Sequence, residues 1–342
     1  MSRLDITQVM ADLRNEKVPL NRELLFSLSD LNATGKEALS KTWFRIEVER
    51  RRKLMSALVD LAENAFEVDF NSIFRVALDD EDAEIRSQAI SELWEDDSPN
   101  LIGPLLKLLS EDRSEQVRAQ AAESLGRFVL LGELGKLDMR VAFAVQEALL
   151  QTYHSSPEAL EVKCRALESL AYSGDEGVLD LIDKAYREGD DRLATCAIFS
   201  MGRSADPRWS DIVIRELSNS KPEFRFDAAQ ASGELELIEA VHPLGELAEQ
   251  DPDTEVRIMA IWALGQIGGH EAHRTIESLQ ETEQDDVILG ALQDAEEELG
   301  FHDDALDMSF VENWLGDELD LDEIIDQDDD DDDTYGDNGD DR

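Results

Sequence analysis

Five histidines, two cysteines and a large surplus of carboxylates are the residues in this chain that could do chemistry. Metal-assisted hydrolysis or oxygen activation needs several imidazoles and carboxylates converging on one ion, so repeated His-Glu pairs would be the signature. Only His270-Glu271 has that form, because His154, His242, His273 and His302 are followed by Ser155, Pro243, Arg274 and Asp303. One dipeptide cannot close a coordination shell, so the sequence assigns no metal ligand, no catalytic residue and no cofactor. Cys164 and Cys196 sit among small and apolar residues on expected helices and read as buried free thiols of a reducing compartment, not as redox or metal groups. The run Asp328 to Asp333 invites calcium. A loop starting at Asp331, however, puts Tyr335 at position five and Arg342 at position twelve, where a carboxylate is required. The sequence contains neither a G-x-x-x-x-G-K-[ST] phosphate loop nor a G-x-S-x-G nucleophile elbow.

Charge narrows the remaining classes. The formal net charge is -48, from 80 acidic against 32 basic residues. Such a field opposes nucleic-acid phosphate and anionic membrane surfaces, which need Lys and Arg, and it favours basic partners. The dense basic cluster Arg50-Arg51-Arg52-Lys53 stands among Glu47, Glu49, Asp60 and Glu63, and reads as a solvated face paired to local acids. The first residues lack the apolar core of a signal peptide, and no apolar run approaches about 18 residues, so the expected location is cytoplasmic and no membrane contact is expected.

The elements that carry these residues repeat. Asp251 to Ala272 reads as an acidic turn, a capped amphipathic helix, a glycine and the start of another helix. Copies anchor on Ile85, Val117, Val162, Leu193, Phe224, Val256 and Val287, at steps of 32, 45, 31, 31, 32 and 31 residues. Four positions on come Ala89, Ala121, Ala166, Ala197, Ala228, Ala260 and Ala291, small enough for close helix contact. Eight positions on come Leu93, Leu125, Leu170, Met201, Ser232, Leu264 and Ala295. Gly126, Gly202, Gly233 and Gly265 then read as helix stops. Arg86, Arg118, Lys163, Arg225 and Arg257 follow their anchors and are expected to bridge to acidic turns such as Asp82, Asp190 and Asp253, while Ala194 and Ile288 interrupt that series.

This Val-Arg-x-x-Ala-x-x-x-Leu-Gly core, from about Glu47 to Phe301, resembles the short HEAT repeats of the phycobilin-lyase type. The resemblance implies an all-α fold, a right-handed α-solenoid of antiparallel helix pairs, with second helices lining a concave side. It is a resemblance of scaffold. Deoxyhypusine hydroxylases resemble the same fold but carry several His-Glu dipeptides, and DNA glycosylases on similar helices use basic surfaces.

The expected division is an N-terminal helical cap over residues 1–43, a repeat array over 44–301, and an acidic, disordered tail over 302–342. The tail holds 19 acids against Arg342 alone, so -18 of the -48 lies there. Within residues 308–325, Phe310, Trp314 and Leu315 form an apolar segment, either docking on the array or recruiting another protein. The long step holds an insertion over 128–140, either an apolar bump or a plug over the core. On the concave side the phase brings Phe199, Phe226, Met259 and Trp262 forward, as core side chains or as a binding patch. The function read from all this is a non-catalytic protein-protein interaction scaffold with a basic partner. The alternatives are a metal-dependent hydroxylase or lyase-like enzyme, and an acidic mimic of nucleic acid.

Overall fold

The computed structural model describes residues 5–65 and 67–299, and among them there is no strand. The chain divides after Ala240 into two compact units. The first begins with α1 (Ile6–Arg14), α2 (Arg22–Phe26) and α3 (Ala33–Thr42), followed by α4 (Val48–Glu63). Five helix pairs follow in it: α5 (Asn71–Ala77) with α6 (Ala83–Glu92), α7 (Ile102–Glu111) with α8 (Glu115–Glu133), α9 (Met139–His154) with α10 (Leu160–Leu170), α11 (Glu176–Glu188) with α12 (Asp191–Arg203), and α13 (Ser210–Glu216) with α14 (Pro222–Glu234). The second unit holds α15 (Val241–Gln250), α16 (Thr254–Ile267), α17 (Gly269–Thr282) and α18 over residues 286–299. Each pair packs on itself, and in the first unit α6, α8, α10, α12 and α14 stack in chain order.

Local chemistry explains where the second helices begin. Asp82, Asp190 and Asp253 are N-caps: their carboxylates accept the N–H of Ile85, Leu193 and Val256, three residues on. Asp285 accepts the N–H of Ile288 in the same way, at 3.4 Å, which fixes the phase of the last copy. Its anchor is therefore Ile288, 1% exposed, and not Val287, which is 62% exposed. The expected anchor was one residue early, so the non-basic residue that interrupts the series in this copy is Leu289 and not Ile288.

The stripe behind those anchors forms the core. Ala89, Ala121, Ala166, Ala197, Ala228 and Ala260 are fully buried, as are Leu93, Leu125, Leu170, Met201 and Leu264. The glycines do something other than the expected stop. Gly126, Gly202 and Gly265 lie inside α8, α12 and α16. A Cβ there would come within 3.2 Å of Ser169 Cα, 2.6 Å of Ala231 Cα and 3.2 Å of Ala295 Cα, each on the following second helix. They are points of closest helix approach, and α16 ends instead at Gly268, where φ is +67°.

The arginines after the anchors bridge forward to the next repeat, not to the cap residues. Arg86 makes two 2.7 Å bonds to Asp112 and Arg118 one of 2.7 Å to Glu158, while both also donate to a carbonyl of the preceding turn, Asp80 and Asp112. In the second unit Arg257 pairs with Glu283 and donates to the Ala248 carbonyl. The cluster at the start of α4 is structural as well, and less solvated than expected. Arg50, 9% exposed, donates to the carbonyls of Leu13, Asp12 and Val18, tying α4 to the first turns of the chain. Arg51, 2% exposed, pairs at 2.9 Å with buried Asp80, which also accepts the Trp43 indole N–H at 2.6 Å.

The insertion serves both expected roles. It extends α8 to Glu133, burying Phe128 and Val129 completely as a plug, and beyond them it leaves Leu134 and Met139 in water.

Candidate functional site

Positions two, three and six after each anchor lie off the anchor stripe, some buried where neighbouring second helices touch and others open, and the candidate site is built on this face. In the first unit these positions bring together α8, α10, α12 and α14. Glu161 on α10 accepts both from Arg165, at 3.0 Å, and from Arg192 of α12, at 2.9 Å. Arg165 also donates to Glu168 at 2.7 Å. Beside them a groove of about 430 Å³ opens between α8 and α10, lined by Glu115, Gln120, Glu123, Glu161 and Arg165.

Three carboxylates at the back of this face are desolvated. Glu168 is 5% exposed, and burial pushes its carboxyl up despite the nearby Arg165, Arg192 and Arg203 guanidinium groups. Asp227 on α14 is half-buried and is pushed up to about 7 by burial, with Arg192 opposing the rise and Glu168 adding to it. Glu234, about two turns nearer the end of α14, is also pushed up by burial. One of its oxygens accepts from Gln230 at 2.9 Å and the other meets no donor among the described residues. Desolvation therefore outweighs the attraction of the arginines at all three carboxyls and favours their neutral form.

Phe199 is half-buried, and the Arg203 guanidinium stacks 4.4 Å from its ring centroid and 4.8 Å from that of Tyr172. Phe226 is also half-buried. These two belong to the first unit. Met259, half-buried, and Trp262, 37% exposed, belong to the second. Phe310, Trp314 and Leu315 lie outside the described residues. By register Glu168 lies six places after Val162 and Asp227 three places after Phe224. What sequence reasoning lacked was their burial, which has no signature in the residues beside them.

The cysteines correct another expectation. Cys164 and Cys196, 0% and 1% exposed, face each other across α10 and α12 with Cα atoms 5.6 Å apart, and they are disulfide-bonded instead of free. Register explains it: Cys164 lies two and Cys196 three places after successive anchors, so stacked second helices bring them side by side. Among the described residues no three of His, Cys, Asp and Glu gather in a way that could hold a metal ion. None of their helices is long and apolar enough to cross a membrane.

The helix-pair period, the N-cap aspartates and the forward-bridging arginines define the repeat. The HEAT repeats family matches residues 72–139 and 210–295. This chain contains HEAT repeats. The HEAT-repeat chain is 25% identical over 147 residues to the uncharacterized phycocyanin operon protein Z of Pseudanabaena tenuis, covering 41% of this chain and 71% of that one. Among solved structures it is similar to the complex of CpcE and CpcF of phycocyanin lyase from Nostoc, at 17% identity and a TM-score of 0.43, covering 87% of this chain and 96% of that one. It is also similar to human deoxyhypusine hydroxylase, at 16% identity and a TM-score of 0.34, covering 86% and 96%. A fold does not fix a function, so function has to be argued from the site.

Proposed function

We propose that this HEAT-repeat chain is a non-catalytic scaffold whose second-helix face takes a basic segment of a partner protein. The observation that carries the reading is the desolvated Glu168, Asp227 and Glu234 on α10 and α14, in the same stack of second helices as a groove lined by further acids. An incoming guanidinium or ammonium stabilises the ionised form that burial disfavours, and the acidic surface around it speeds encounter. Phe199 and Phe226 in the first unit, and Met259 and Trp262 in the second, supply apolar contact, and Phe310, Trp314 and Leu315 of the tail serve as a recruitment element.

The test is fluorescence anisotropy of a labelled alternating Lys/Arg peptide against the full chain. Replacing Glu168→Gln and Asp227→Asn together weakens binding by about tenfold or more, as loss of one charge-assisted hydrogen bond does. Glu246→Gln with Glu249→Gln, two exposed acids on α15, serves as the control and leaves binding unchanged. Equal losses in the two pairs would mean diffuse attraction by the chain's overall charge, the behaviour of a nucleic-acid mimic, and would end the reading.

A further inference from the structure

The turn between α8 and α9 is where the chain departs from its own period, and it leaves apolar side chains bare. Gly135, with φ +67°, ends α8. The Lys136 N–H donates to the Leu131 carbonyl at 2.8 Å and the Gly135 N–H to the Gly132 carbonyl at 3.0 Å, the paired bonds of a Schellman stop. Asp138 then caps α9 by accepting the Arg140 N–H at 2.9 Å. Behind the turn the two helices are pressed together, since a Cβ on Gly132 would lie 2.5 Å from that of Ala142. The turn is fixed at both ends, so the side chains it carries are already ordered before any contact forms. Those side chains are Leu134, Met139 and Phe143, exposed by 56%, 83% and 65%. Together they present roughly 400 Å² of apolar surface, a size of patch that is often functional.

The local charge says what can cover it. Over residues 132–144 the acids Glu133 and Asp138 are matched by Lys136 and Arg140, in a chain whose formal charge is -48. Across its predominantly acidic surface two copies would bring like charges together. Here each copy can set its Lys136 and Arg140 against the other's Glu133 and Asp138, the self-complementary arrangement a twofold contact requires.

We propose that the α8–α9 turn is a self-association surface, on which a second copy of this chain packs its own Leu134, Met139 and Phe143. The patch is about half of what each partner contributes to a standard interface, so the association is weak and concentration-dependent. Salt strengthens it: shortening the Debye length screens the repulsion between two acidic bodies while the apolar contact remains. That is the opposite sign from capture of a basic peptide, so the two readings stand or fall separately.

Sedimentation velocity of the full chain over a concentration series, at low salt and near 1 M, reads this directly. The expected result is a mass rising toward a dimer with concentration, more steeply at high salt, and a monomer for Met139→Glu and Phe143→Glu. Both positions are exposed, and circular dichroism confirms that each variant keeps its helices. A chain that stays monomeric under every condition, or a dimer that persists in both variants, would overturn the proposal.

Discussion

Asp227→Asn isolates the electrostatic argument in one atom. Burial carries the Asp227 carboxyl from 3.8 to about 7. Between those values the folded chain holds a proton that the unfolded chain has released, so stability falls as pH rises through that window, and the full penalty is present above about pH 7. A rise of about three units corresponds to at most about 4 kcal/mol. Asn has the shape of the neutral acid and never ionises. The variant is therefore matched to the native chain below about pH 4, more stable by about 1–2 kcal/mol at pH 5, and by up to about 4 kcal/mol at pH 8. For a unit of this size, with roughly 2–4 °C per kcal/mol, the gap in Tm widens to about 8–16 °C at pH 8. Thermal melts of both proteins by circular dichroism at pH 4, 5, 6 and 8 give the curve. A gap that does not change with pH, or a variant less stable than the native chain at pH 8, would refute the claim that this carboxylate is held against its own desolvation.

Other perturbations test the frame that holds the site. Gly202→Ala places a methyl against the α14 backbone and should cost about 1–3 kcal/mol by overpacking, whereas Gly290→Ala, with nothing within 4 Å, should gain up to about 1 kcal/mol, both read by urea denaturation. Asp80→Ala removes the buried partner of Arg51, leaving it the exposed Glu81 and the Ile46 carbonyl, and strips the Trp43 indole N–H of its acceptor; it should destabilise the first unit by about 3–5 kcal/mol, and a change below about 1 kcal/mol would show that the pair is dispensable. The Cys164–Cys196 bond closes a separation of 32 residues, so reduction should remove about 3–4 kcal/mol, seen as a lower Tm in dithiothreitol that Cys164→Ala with Cys196→Ala no longer shows.

The helical period was readable because it is written in residues whose burial does not depend on detail. A β-branched or apolar anchor, an alanine one turn on and a leucine two turns on can only be one face of a helix, and those positions are buried. The arginine series was readable as structural for the same reason, although its partners lie one repeat further on than the nearest acids suggested. Other features depend on how stacked helices meet. A glycine near the end of a helical pattern looks like a stop in one dimension. Only the neighbouring helix shows that Gly126, Gly202 and Gly265 mark close approach. The last anchor slipped because Val287 and Ile288 are equally apolar, and only the Asp285 cap distinguishes them. The bond between Cys164 and Cys196 and the desolvation of Asp227 have no local signature, since both arise where consecutive second helices touch.

Isothermal titration of the alternating Lys/Arg peptide at pH 6.5, repeated in buffers of different ionisation enthalpy, reads the central claim through protons. If a cation settles beside Asp227, a carboxyl standing near 7 ionises as it binds, and up to about one proton is released per peptide, a release that Asp227→Asn abolishes. Binding that releases no proton, or the same proton release from the Asn variant, would contradict it.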